Sequence, residues 1–164
     1  MVELKGYLVN GKSIGEWVTF PIDEDELEEV LEQVGITDEH KEYFFAGYEC
    51  DVPGVCDGLE KHSSVEELNE LAEALEDVDD EDLLAAALEL GGYSVMDIVE
   101  NIDDYSLRKD ILNDYDLGYD YVIEPGIMNI PDYLKNYIDY EAFGSDLRMN
   151  AYGAHTKYGW IERL

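Results

Sequence analysis

Residues 64–82 read SVEELNELAEALEDVDDED. Ser64 with Glu67 three positions on is the pattern of a capping box, in which each side chain satisfies the other residue's backbone N–H at a helix start. Val65, Leu68, Leu71, Ala72 and Leu75 then recur at helical spacing as one apolar stripe. The remaining face carries Glu66, Glu67, Glu70, Glu73, Glu76 and Asp77, and no Lys or Arg lies within helical reach to form i, i+4 pairs. After the acidic turn that holds Asp80 and Glu81, the sequence predicts a second helix over 82–90 that stops at Gly91 and Gly92. A third helix, capped by Ser94, packs Val95, Ile98, Val99 and Ile102. Short helices over 63–103 make a small core, so this unit is expected to lean on its neighbours.

Toward the N-terminus the pattern changes to β. Residues 6–9 and 16–20 read as strands joined by the turn Asn10, Gly11, Lys12, Ser13. Asp23, with Glu26 three positions on, opens a helix whose apolar stripe is Leu27, Val30, Leu31 and Val34 and which Gly35 ends. Its other face is Glu24, Asp25, Glu28, Glu29 and Glu32. Residues 42–49 (EYFFAGYE) read as a further strand. Toward the C-terminus 119–124 reads as a strand, Pro131 suits the first turn of a helix carrying Tyr133, Leu134 and Tyr137, and 158–161 reads as a closing strand. The expected fold is α+β, as three small domains in an elongated row: 1–62 an α+β domain, 63–103 an acidic short-helix bundle, and 104–164 a second α+β domain.

Charge separates these segments. The 164 residues hold 41 Asp and Glu against 10 Lys and Arg, a net charge of -31. Segment 1–62 has 16 acidic and 4 basic residues, 63–103 has 14 and none, and 104–164 has 11 and 6. With 13 Tyr, 4 Phe and 2 Trp this is not the composition of a disordered acidic tail, which is poor in aromatics. A polyanion of this strength is excluded from binding nucleic acid or an anionic membrane directly, because both require cations against phosphate. The charge points to basic protein partners, to cations, or to a saline cytoplasm. One acidic helix face is an ordinary solvated surface; two adjacent elements with the same unpaired habit point to function.

Duplex DNA carries one negative charge per about 1.7 Å of axis, so a net charge of -31 matches about 53 Å, or about 15 base pairs. A compact globule of this length is only about 40 Å across, from a radius of gyration near ~15 Å. A chain matching DNA's charge density is therefore expected to be elongated.

Other chemistries fare worse. Asp114, Asp116 and Asp120 (DYDLGYD) look like an oxygen-ligand loop, but an EF-hand counted from Asp114 needs Gly and Glu where Tyr119 and Pro125 stand. Cys50, Cys56 and His62 are spaced too widely for a zinc site and lack a fourth ligand, so the cysteines read as free thiols of a reducing compartment. His40, His62 and His155 are far apart and near no nucleophile motif. No catalytic site and no cofactor are expected. No apolar run reaches the roughly 18 residues of a membrane span, and the first residues do not form a secretory leader, so a cytoplasmic location is expected.

Residues 137–148, YIDYEAFGSDLR, alternate aromatic and acidic side chains around Gly144. The stretch resembles the antirestriction motif of ArdA proteins, and the resemblance extends to 16–22 (EWVTFPI), to the acidic helix that follows, and to 156–164 (TKYGWIERL). ArdA proteins are carried by plasmids, conjugative transposons and phages and inhibit type I restriction-modification enzymes by mimicking B-form DNA. The resemblance implies three small domains in a curved row, paired into a homodimer through the C-terminal one. It also implies that Tyr137, Asp139, Tyr140, Phe143, Gly144, Asp146 and Leu147 lie at or near the dimer contact. Ser145 stands where the family usually has Arg. The competing expectations are an acidic housekeeping or structural protein of a halophile and a cation-binding module.

Overall fold

The structure, a computed structural model, describes residues 2–11, 14–37, 42–60, 63–124 and 129–164. Lys12 and Ser13 of the expected hairpin turn, together with His40, His62 and Pro125, lie outside these residues. The elements run β1 (Leu4–Asn10), β2 (Gly15–Phe20), α1 (Glu24–Gln33), β3 (Tyr43–Cys50), α2 (Val65–Glu76), α3 (Glu81–Leu90), α4 (Val95–Glu100), β4 (Tyr105–Arg108), α5 (Asp114–Ile123), α6 (Asp132–Lys135), α7 (Tyr140–Asn150), β5 (Gly153–Thr156) and β6 (Gly159–Arg163). The class is α+β, as the sequence predicts. The chain gathers into two compact units, Met1–Glu81 with Tyr93–Glu100, and Asp82–Gly92 with Asn101–Leu164, so the helical stretch 63–103 is shared between them.

The first unit is built on an antiparallel sheet of order β2-β1-β3. Alternation sends Leu4, Leu8, Val18 and Phe20 to one face, where they are buried with Phe45. Gly6 makes room there: a Cβ at this position would come 2.8 Å from Phe45 and 3.1 Å from Phe20, whose rings meet edge to face. α2 buries Leu68, Leu71, Ala72 and Leu75, four of the five residues of its expected stripe, and packs against α4. The Asn69 side chain ties α2 to the chain just before α1, accepting from the Ile22 N–H and donating to the Ile22 carbonyl, both at 2.8 Å.

The second unit holds an antiparallel sheet of order β4-β6-β5. Ile111, Leu117 and Trp160 form a buried cluster, with Tyr121, Leu147 and Ala151 packed on it. α3 contributes Leu84, Ala85, Ala86 and Ala87 as buried residues, and the Lys109 ammonium meets Asp82 at its start, 2.7 Å away.

Two expectations for this unit need correction. Residues 119–124 are not a strand: all but Glu124 lie in α5, which Asn113 caps by accepting from the Asp116 N–H at 2.9 Å. The β-prone run YDYVI is overridden because Leu117, Gly118 and Val122, at helical spacing, are the residues that bury. Nor does the helix after Pro131 carry Tyr137: α6 ends at Lys135, and Tyr137 lies in the turn beyond it. Gly144 lies buried within α7, where α7 crosses α5.

Candidate acidic interaction surface

Asp23 caps α1 by accepting from the Glu26 N–H at 2.8 Å. The capping box at α2 is complete, with Glu67 N–H to Ser64 Oγ at 3.1 Å and Ser64 N–H to Glu67 Oε2 at 2.9 Å. These caps fix the phase of both helices, and the phase decides which side chains face water. Glu24, Asp25, Glu28, Glu29 and Glu32 of α1 are all exposed. So are Glu66, Glu67, Glu70, Glu73 and Glu76 of α2, and Asp77, Asp80 and Glu81 beyond it. All thirteen predicted surface residues fall in the first unit.

The clamp at Asn69 sets the start of α1 beside α2. Between them runs an open groove lined by Ile22, Asp23, Glu24 and Leu27 on one side and Val65, Glu66, Asn69, Glu70 and Glu73 on the other. The acidic faces of two separate helices therefore border one groove.

Helix energetics do not explain so many carboxylates. Acidic residues in the first turns of α1 and α2 suit the positive end of the helix dipole, but Glu32 and Glu76 sit near the negative end, and neither helix has a basic residue in its last turn. Among the described residues, ion pairs join Lys5 with Glu3, Arg108 with Asp120 and Glu162, Lys135 with Asp132, Arg148 with Asp114, and Arg163 with Asp104. The outer faces of α1 and α2 thus present exposed carboxylates to solvent.

The predicted motif in the second unit is divided by the structure. Gly144 is buried, and Tyr140 and Leu147 are half-buried. The Tyr140 ring meets Tyr115 and Tyr119 edge-on, its hydroxyl donates to the Lys135 carbonyl at 2.7 Å, and Leu147 packs on the buried cluster. Asp139 caps α7 through the Ala142 N–H at 3.0 Å. Phe143 is half-buried, Asp146 is exposed, and Tyr137 is 86% exposed. Ser145 Oγ lies 3.4 Å from the Arg148 guanidinium. The sequence reading missed the exposed Tyr115, Tyr119 and Ile123, which follow one another at i, i+4, i+8 along α5. Their helical spacing was the available signal, obscured by the strand reading of the same residues.

The carboxylates of the DYDLGYD stretch are engaged within the protein. Asp114 accepts from Arg148 Nε at 2.8 Å and Nη2 at 3.1 Å, and lies 2.9 Å from His155 Nε2. Asp116 accepts from the Leu112 N–H, and Asp120 from Arg108. The Arg148 hydrogen bonds, supported by His155, hold the Asp114 carboxyl down at about 2. Cys50 and Cys56 are free, half-buried thiols that burial pushes up, Cys56 to about 11. Among the described residues no three of His, Cys, Asp and Glu converge to hold a metal, and no helix is long and apolar enough to cross a membrane.

A comparison with curated proteins finds no match. Among family models, the one described as antirestriction protein (ArdA) matches residues 4–162.

Proposed function

The chain belongs to the antirestriction protein (ArdA) family, and we propose that it acts as a DNA mimic that occupies the DNA-binding groove of a type I restriction-modification enzyme. In this reading the carboxylates of α1, α2 and the turn after α2 stand in for phosphates, and the inhibitor needs no cofactor. The chain acts as a homodimer paired through its C-terminal segment. Two chains at -31 each would match at most about 105 Å of duplex, or about 31 base pairs.

The observation that carries the reading is the groove between α1 and α2, bordered by Asp23, Glu24, Glu66, Glu70 and Glu73 from two helices. DNA likewise presents two rows of negative charge on either side of a groove. Basic side chains that an enzyme aims at phosphates would find comparable partners here, and the attraction would be strongly salt-dependent.

The test is a competition titration of a purified type I restriction-modification enzyme on labelled DNA, at low and at high salt. Displacement near stoichiometry that weakens steeply with salt is the expected result. No displacement at either salt would sink the reading and return attention to a halophile surface or a cation-binding module.

A further inference from the structure

Tyr7 of β1 and Trp17 of β2 stand directly opposite each other in the hairpin register, with ring centroids 5.1 Å apart. Because Leu4, Leu8, Val18 and Phe20 point into the core, alternation puts this pair on the outer face of the sheet. A Cβ on Gly15 would come 2.5 Å from Val9 Cγ1, 2.8 Å from the Leu8 carbonyl oxygen and 2.9 Å from Tyr7 Cζ, so only glycine leaves room beside the Tyr7 ring. Val9, two residues on along the same face of β1, is only 6% exposed. Trp17 nevertheless remains 43% exposed, an unusual state for the residue with the largest apolar surface.

Elsewhere in the chain aromatic faces are covered by its own cations, with Arg108 over Tyr121, Lys157 over Tyr158 and Arg163 over Tyr105. Among the described residues no Lys or Arg lies over Trp17. Lys5, on the same face of the sheet, is held by Glu3 at 2.8 Å instead. An indole face is the best side-chain acceptor for a cation, and Arg is the usual donor. The chain's net charge of -31 attracts basic partners.

We propose that Trp17, backed by Tyr7, is an aromatic anchor that receives a guanidinium or ammonium group of the type I restriction-modification enzyme, in addition to the carboxylates of α1 and α2. The proposal rests on the DNA-mimic reading. It adds a contact that duplex phosphates do not make, so that affinity has a component insensitive to salt. Trp and Arg are the residues over-represented among the few that dominate interface energies.

The test repeats the displacement titration with Trp17→Leu, which keeps an apolar side chain but removes the π face, and Trp17→Tyr, which restores one. Melting temperatures first establish that both variants are folded. Trp17→Leu is expected to weaken displacement by about tenfold at low and high salt alike, with the salt slope unchanged, and Trp17→Tyr to stay within about threefold of the parent. Full displacement by folded Trp17→Leu would overturn the anchor while leaving the mimic intact. So would a change in sedimentation without a change in displacement, which would assign the face to self-association. Failure of the parent itself to displace DNA would instead remove the reading on which the anchor rests.

Discussion

Gly118 of α5 and Gly144 of α7 face each other across the helix crossing so closely that neither position has room for a side chain. A Cβ on Gly144 would run into the Asp114 carbonyl oxygen, and one on Gly118 into that of Tyr140. The obstacle in each case is backbone, which cannot rotate away as a side chain can. Gly144→Ala is therefore expected to lower stability by at least about 2 kcal/mol, measured by denaturant unfolding. Gly47→Ala is the control, since nothing lies within 4 Å of a Cβ there, and it should change stability by no more than about 0.5 kcal/mol. Equal effects at the two positions would mean that the crossing is not close-packed.

Asp114 supplies a pH signature at the same crossing. Arg148 and His155 stabilise its ionised form, holding its carboxyl at about 2 against an ordinary value of 3.8. The unfolded chain therefore binds a proton that the folded chain does not, and the contribution to stability is present above the ordinary value and lost as pH falls toward 2. Asp114→Asn should melt below the parent near neutral pH, and the gap should close between about pH 4 and about pH 2. Comparing parent and variant cancels the protonation of the other carboxylates. A gap that stays constant to acid would contradict the assignment.

Burial leaves both thiols protonated at neutral pH, with Cys56 pushed up to about 11. Since the thiolate is the reactive form, iodoacetamide at about pH 8 should label the native protein at less than about a tenth of the rate in denaturant. Prompt labelling of the native protein would show that the loop around Cys56 opens readily.

The apolar surface of the second unit bears on the proposed dimer. Tyr137 is 86% exposed in the turn after α6, and Tyr133 and Leu134 of α6 are exposed as well. Tyr137→Asp should leave the circular dichroism spectrum unchanged while weakening self-association in sedimentation by at least about tenfold. Unchanged self-association would move the contact elsewhere.

Legibility in the sequence followed the locality of the physical signal. Asp23, Ser64 and Ser94 read correctly as caps because each acts on a backbone N–H three residues away. The exposure of the carboxylates on α1 and α2 was legible for the same reason, since helical phase follows from cap and stripe. The helix over Tyr119–Ile123 was illegible because Tyr, Val and Ile favour strands locally, while its stability comes from α7, far along the chain. β4 and β5 span four residues each, too few to show alternation, and depend on β6 to pair them. The groove between α1 and α2 needed the Asn69 clamp, a contact across 47 positions that no local pattern announces.

The acidic surface itself makes the most demanding prediction, because structure and function pull in opposite directions there. Reversing Glu66, Glu70, Glu73 and Glu76 to Lys adds 8 to the net charge, taking it from -31 to -23, and eases repulsion across an acidic chain, so the melting temperature should rise or stay unchanged. Reversing Glu70 alone should alter displacement of DNA by less than about threefold, since one exposed charge among many is worth little. Reversing all four to Lys, with Glu67 left to keep the capping box, should abolish displacement and flatten its salt dependence. A protein whose carboxylates only hold its fold or its hydration would lose stability with the four, and one that binds through a single carboxylate would fail already with the first. Tighter folding joined to lost displacement is the outcome specific to a surface shaped for a basic partner.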